Sequence, residues 1–240
     1  MFHYLCMLLV AIAGSDAVKI TDLRVPPAVR NGSGGALLDC EYSLRQEELK
    51  PDSGLVVKWF FNNEPAPVYQ WIPGQKPQEL GILQGRLNLG YRASDHRSAM
   101  HRALYIVNPT IELSGEYKCF VSTFKDEDFL TKNMVVFAPG ENLRVVGEVV
   151  DKDNVNISCS AENVYPKPEM LLYQLGVKDN RTQQLRGVKG LSTMHSGLFE
   201  IHANQLLHHT QLSTPTEFEC ELSIPEVNYK VTKDLEYYPV

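Results

Sequence analysis

Between residues 34 and 42 the chain reads GGALLDCEY, where Ala36, Leu38 and Cys40 alternate with Leu37 and Asp39. The same alternation returns in GLVVKWFF, which sets Val57, Trp59 and Phe61 against Lys58 and Phe60, and again at 117–122, which sets Tyr117, Cys119 and Val121 against Lys118, Phe120 and Ser122. A period of two predicts β-strands with one buried face. After residue 143 the pattern begins afresh: NVNISCSAENVYPKPEMLLYQL predicts a cysteine-bearing strand, a Tyr-Pro-x-Pro turn and a second apolar strand, and TEFECELSI predicts the return. No stretch carries a long helical period, so the chain reads as all-β.

The 240 residues have room for two domains of ordinary size. The stretch APGENL at 138–143 has the Pro/Gly character of a joint. Residues 1–14, MFHYLCMLLVAIAG, form a short apolar run ending in small residues, the pattern of a secretory signal cleaved between Gly14 and Ala17. Its start lacks Lys and Arg, so a short uncleaved anchor is the competing reading. The expected divisions are a signal peptide over 1–17, a domain over 18–138, a linker over 139–143 and a domain over 144–240. No other apolar run reaches the length of a membrane span, and the expected location is extracellular. The net charge of −6 gives no basic surface for nucleic acid or an acidic membrane.

Loss of the signal removes Cys6 and leaves Cys40, Cys119, Cys159 and Cys220, an even number in an oxidising compartment. Four cysteines allow three connectivities. Order along the chain favours Cys40 with Cys119 and Cys159 with Cys220, because each pair then lies within one domain-sized block. A metal site is the rival, but no Cys-x-x-Cys or Cys/His pairing at ligand spacing is present. Trp59 on a strand between two cysteine strands, with Tyr117 two residues before the second cysteine, matches the buried tryptophan and the tyrosine corner of an immunoglobulin domain. The separation of 79 residues leaves room for the extra strands of a variable-type domain, and the 61 residues between the second pair fit a constant-type one. The expected fold is therefore two tandem immunoglobulin-like β-sandwiches, variable-type then constant-type. In the second, Leu172 takes the tryptophan position and Phe218 that of the corner tyrosine, which predicts a more divergent and less stable domain.

Catalytic motifs are missing: there is no G-x-S-x-G, H-E-x-x-H or phosphate-binding glycine loop. His195, His202, His208 and His209 lack companions at metal-ligand spacing and read as loop or surface residues. No cofactor, metal or enzymatic activity is expected. Sequons at Asn31, Asn156 and Asn180 are candidate glycosylation sites. With Trp59 and Cys119 facing the core, Phe60 and Phe120 face outward from neighbouring strands, and Tyr69 and Trp71 in PVYQWIPG are expected to extend that patch. Exposed aromatic surface of this kind marks an interaction site. The competing reading has the CDR-like loops or the second domain covering it.

ALLDCEYSL, VVKWFF, PVYQWIP, SGEYKCFVS and the aromatic of DEDFLTK, taken in order, resemble the first domain of the insect beaten-path family, over most of residues 20–140. The family carries a similar cysteine strand, then V-K-W-Y, F-Y-R-Y-x-P and S-G-x-Y-x-C-E-V-S. The resemblance implies a secreted or membrane-tethered two-domain protein that binds a sidestep-like, cell-surface immunoglobulin receptor through its first domain, in cell recognition or axon guidance, without catalysis. This chain departs from the pattern in the inserted RQEELKPDSG, in Phe60 and Phe120, and in the second domain's missing tryptophan. Leu113 stands where many variable domains place an Asp that pairs with an Arg, which leaves Arg97 or Arg102 without an evident mate. An alternative is a soluble immune or ligand-scavenging factor that binds a microbial or small hydrophobic ligand through CDR-like loops, with RQEELKPDSG as its main support.

Overall fold

The computed structural model describes residues 18–175, 182–184, 188 and 190–239. The expected signal peptide and Asn180 lie outside them. The chain divides into two compact units: one runs up to Val25 and adds Leu37–Ile106 and Glu116–Lys132, and the other takes Pro26–Ala36, Val107–Gly115 and the chain from Asn133 onward. Within this division the architecture is that of two immunoglobulin-like β-sandwiches, variable-type then constant-type.

In chain order the first strands are β1 (Lys19–Arg24), β2 (Ala28–Arg30), β3 (Ala36–Ser43), β4 (Val56–Phe61), β5 (Tyr69–Trp71), β6 (Gln78–Glu79), β7 (Leu104–Ile106), β8 (Gly115–Ser122) and β9 (Glu127–Val149). β1, β3 and β7 form one layer of the first unit, while β6, β5, β4 and β8 form the other, with β9 entering beside β8. β5 and β6 are the extra strands that the long Cys40–Cys119 spacing predicts. β2 pairs in parallel with β9 over Val135–Phe137. Each layer buries one parity of its residues, because successive side chains on a strand point to opposite faces: Leu38 and Cys40 from β3, Val57 and Trp59 from β4, and Tyr117, Cys119 and Val121 from β8 are all fully buried.

The remaining strands are β10 (Asn154–Tyr165), β11 (Glu169–Leu175), β12 (Thr182–Gln184), β13 (Leu191–His195), β14 (Leu198–His208), β15 (Thr216–Ile224) and β16 (Tyr229–Tyr237). β13, β14, β10 and the later part of β9 make one sheet of the second unit, and β12, β11, β15 and β16 make the other. Their inner faces meet in a core that includes Val155, Ile157, Leu172, Ile201 and Phe218. Disulfides join Cys40 to Cys119, with Cα atoms 6.4 Å apart, and Cys159 to Cys220, at 6.0 Å. The cross-strand register repeats: Trp59 stands opposite Cys119, and Leu172 stands opposite Cys220. Leu172 thus holds the tryptophan position, and Phe218 fills its place with no exposure.

Residues 139–143, the expected joint, are in strand conformation, since β9 runs through them without a break. Pro139 pairs with Val164 and Glu141 with Glu162 in regular register, and the shift against β10 between Ser160 and Glu162 puts an extra residue at Asn142–Leu143, where Asn142 takes φ +55°, an irregularity that lets the ladder continue. Gly140, between the paired Pro139 and Glu141, has φ +87°, and a Cβ there would lie 2.8 Å from Val164 Cγ2 and 3.4 Å from Leu222 Cδ2. Gly140→Ala is expected to destabilise the chain by about 2 kcal/mol, through left-handed strain and overpacking. A urea titration that leaves the midpoint unmoved would contradict this.

Candidate recognition face

The pairing of β4 with β8 sets Lys58 opposite Phe120 and Phe60 opposite Lys118. These four have the parity opposite to Trp59 and Cys119, so they lie together on the outer face, with cations and aromatic rings alternating both along and across the strands. Phe60 and Phe120 are half-buried. Their rings meet edge to face at 6.3 Å, a geometry favoured by the ring quadrupole. Lys118 Nζ lies 4.7 Å from the centroid of Phe60 and 5.8 Å from that of Phe129 on β9, and Phe129 is 57% exposed. Each such cation–π contact contributes about 0.5–1 kcal/mol at an exposed site. It also holds the lysine chain down against the rings. Gln70 on β5 faces Lys58 and Gln78 on β6 faces Gln70, giving the patch a neutral polar margin.

Phe60 and Phe120 thus stand on the outer face, as the alternation of β4 and β8 predicts. Tyr69 and Trp71 do not: each is only 2% exposed. The register explains the correction. Tyr69 stands opposite Trp59 and Trp71 opposite Val57, and directly opposed residues share a face, so both follow their partners into the core. The Tyr69 hydroxyl donates to the carbonyl of His101 at 2.7 Å, and burial pushes its phenol up from the ordinary value. Trp71 meets the His101 ring edge-on at 5.7 Å.

Beneath the face, Trp59 Nε1 donates to the carbonyl of Arg102 at 3.1 Å. Arg102 has a mate after all. Its Nε and Nη2 donate to the two carboxylate oxygens of Asp39 at 2.8 and 3.0 Å, and Nη2 also reaches Glu41 at 3.1 Å. Arg24 joins the cluster through both carboxylates. Burial alone would raise the Asp39 carboxyl, but the hydrogen bonds and charge of Arg102, seconded by Arg24, hold it below the usual 3.8. Leu113, at the usual acidic position, is an apolar core residue with no exposure. Tyr117 is equally buried and packs on Phe61 at 5.1 Å; burial pushes its phenol up.

No family model and no curated protein matches the chain. Solved structures do. Bovine butyrophilin superposes with a TM-score of 0.67 at 17% identity, covering 88% of this chain and 94% of that one. The Rst D1-D2 structure gives 0.59 at 12% identity, over 92% and 99%. A chain from the complex of ICOS with ICOS-L and an anti ICOS-L VNAR domain gives 0.59 at 15%, over 89% and 100%. The chain has the immunoglobulin fold. Identities this low establish the architecture and leave the activity to be argued from the surface.

The other predicted immunoglobulin-domain surface features are dispersed. Asn31 is exposed, and its backbone N–H donates to the Phe137 carbonyl at 2.8 Å. Asn156 is half-exposed in mid-strand, where the Asn204 amide donates to its Oδ1 at 3.4 Å. His195 and His202 are exposed, and His209 stacks on Tyr237 at 6.3 Å. Among the described residues no group of three His, Cys, Asp or Glu is placed to hold a metal ion, and no helix is long and apolar enough to cross a membrane.

Two parts of the face are additions to the sequence reading. Phe129 is the aromatic of DEDFLTK, but its place beside Lys118 depends on how β9 lies along β8, which local alternation does not specify. The lysines were visible as the polar partners of Trp59 and Cys119. Their interleaving with the rings appears only once the register is fixed.

Proposed function

We propose that this chain is a secreted recognition protein of the beaten-path kind, which binds a cell-surface immunoglobulin receptor of the sidestep-like type heterophilically through the outer face of β4, β8 and β9, in cell recognition or axon guidance. On this reading residues 1–17 are a cleaved signal peptide, 18–138 and 144–240 are the two domains joined through 139–143, and Asn31, Asn156 and Asn180 carry glycans. No catalysis is assigned.

The observation that carries the proposal is the alternation of Lys58 and Lys118 with Phe60, Phe120 and Phe129 on one exposed sheet face. Aromatic rings are favoured interface anchors, and a surrounding charge selects the partner and speeds encounter. A second copy docked on the same face would bring lysine against lysine. An acidic, aromatic partner face would satisfy both features, which favours a heterophilic complex.

The test is a multimerised probe of the full secreted chain against a panel of extracellular immunoglobulin ectodomains that includes sidestep-like receptors, since avidity exposes weak pairs. Saturable binding to one receptor is expected, lost in Phe60→Glu and Phe120→Glu at unchanged secretion and melting temperature. Tyr69 and Trp71 are excluded as probes, because changing them would unfold the domain. A well-folded probe that binds nothing on the panel, or binds equally well with both substitutions, would refute the assignment.

A further inference from the structure

In the first unit two clefts adjoin, neither lined by a residue of the lysine–phenylalanine checkerboard. The first, of about 440 Å³, lies between the 44–55 loop, the turn after β5 and the 123–126 loop; its apolar lining comprises Leu49, Pro51, Leu55, Ile72, Pro73 and Phe124. That volume falls in the range of small-molecule sites. Phe124 is 83% exposed and Leu49 is 38% exposed, although the Phe124 backbone is tied to the 44–55 loop by a hydrogen bond to the Ser53 carbonyl at 2.9 Å. Its ring rests directly on Gly54, where a Cβ would come within 2.6 Å. The one carboxylate lining this cleft is already engaged: Glu48 accepts from the Arg45 N–H and from the Thr123 hydroxyl, both at 3.0 Å.

The second cleft, of about 600 Å³, shares Arg97 with the first and is also lined by Lys76, Arg92, His101 and Trp71, with no carboxylate. None of the three permanent cations makes an ion pair among the described residues. In a chain of net charge −6 such a concentration is notable. Gly74, at φ +88°, leaves room for the Arg97 guanidinium, whose Nη2 lies 3.2 Å from where a Cβ would stand. Trp71, only 2% exposed, closes one side of this cleft.

An apolar cleft that shares Arg97 with a cationic one matches the chemistry of a single-chain amphiphile with an anionic head. We infer that the clefts form a binding site for such a molecule, with the chain between Leu49, Ile72 and Phe124 and a carboxylate or phosphate monoester held by Arg97 with Arg92 and Lys76. The site is separate from the receptor-binding reading and does not depend on it.

The test uses the full secreted chain and 11-(dansylamino)undecanoate as fluorescent probe, displaced in turn by decanoate, decyl phosphate, decanol and acetate. Saturable probe binding is expected, with displacement by the ten-carbon anions, decanol weaker by about ten-fold or more for want of the charged contact, and acetate inert. The relative strength of decyl phosphate and decanoate assigns the head group. Arg97→Glu and Phe124→Asp, both at exposed positions, should each weaken the probe by about ten-fold at unchanged melting temperature, while Phe60→Glu should not. The absence of saturable binding, equal displacement by decanol and decanoate, or an unchanged affinity in folded Arg97→Glu would overturn the inference.

Discussion

Replacing Cys40 and Cys119 together with alanine is expected to abolish recovery of folded protein. Both sulfurs are fully buried between the two layers of the first unit, and the bond closes a loop of 79 residues. In the chain-entropy account such a closure is worth about 4.5 kcal/mol, comparable to the whole net stability of a small domain. The 61-residue loop of the second disulfide gives nearly the same figure, about 4.3 kcal/mol. Loop entropy therefore predicts that Cys159→Ala with Cys220→Ala is almost as damaging. Any larger difference must come from packing. Trp59 stands opposite Cys119, whereas Leu172 stands opposite Cys220, so the first pair leaves its cavity against a much larger side chain. The expected order is a greater loss for the first pair, by about 1 kcal/mol. The yield of folded protein and the urea midpoint of any recovered monomer measure both effects. A normal yield of monomer melting at the native temperature would show that the bond is dispensable.

The parts of this structure legible in the sequence are those that follow from local alternation. In β3, β4 and β8 the buried parity is unambiguous, because a cysteine or tryptophan declares which face is inner and each strand is six to eight residues long. That was enough to send Phe60 and Phe120 outward and to place Leu172 across from a cysteine. β5 has only three residues, and Tyr-Gln-Trp carries no internal marker of its inner face. Only pairing with β4 settles it, and pairing is a long-range property. The stretch at 139–143 shows a different limit: composition reports the conformational freedom of proline and glycine, but it does not say that β9 continues through both, with an extra residue taken up at Asn142–Leu143. In the sequence Asp39 is merely the polar alternate beside Cys40. Its partner lies 63 residues away, and no local pattern links the two.

That partnership yields the second large effect. Arg102→Met is expected to destabilise the first unit by about 3 kcal/mol near neutral pH. Asp39 and Arg102 side chains retain only 13% and 15% exposure, so removing the guanidinium leaves a largely buried carboxylate short of its counter-charge, the costly half of a broken pair. Arg24 cannot replace it fully, being 56% exposed and shared with Asp22 and Glu41. The sign of the pH dependence follows from Asp39, which in the native fold sits below its ordinary value of 3.8. A depressed carboxylate contributes stability that is present above the unfolded value and lost as pH falls through the folded one. In Arg102→Met the balance reverses, because burial then outweighs the remaining cation and raises the carboxyl, so protonation relieves the variant as acid weakens the native chain. The stability gap between the two is therefore widest near pH 7 and closes as pH drops below about 4. Adding Asp39→Asn to Arg102→Met should recover part of the loss at neutral pH, since an amide carries no charge to desolvate. Urea midpoints at pH 7 and pH 3.5 for the native chain, the single variant and the double variant test the argument. A gap that is constant with pH, or a double variant no better than Arg102→Met, would mean that the guanidinium stabilises by packing its stem and not by charge.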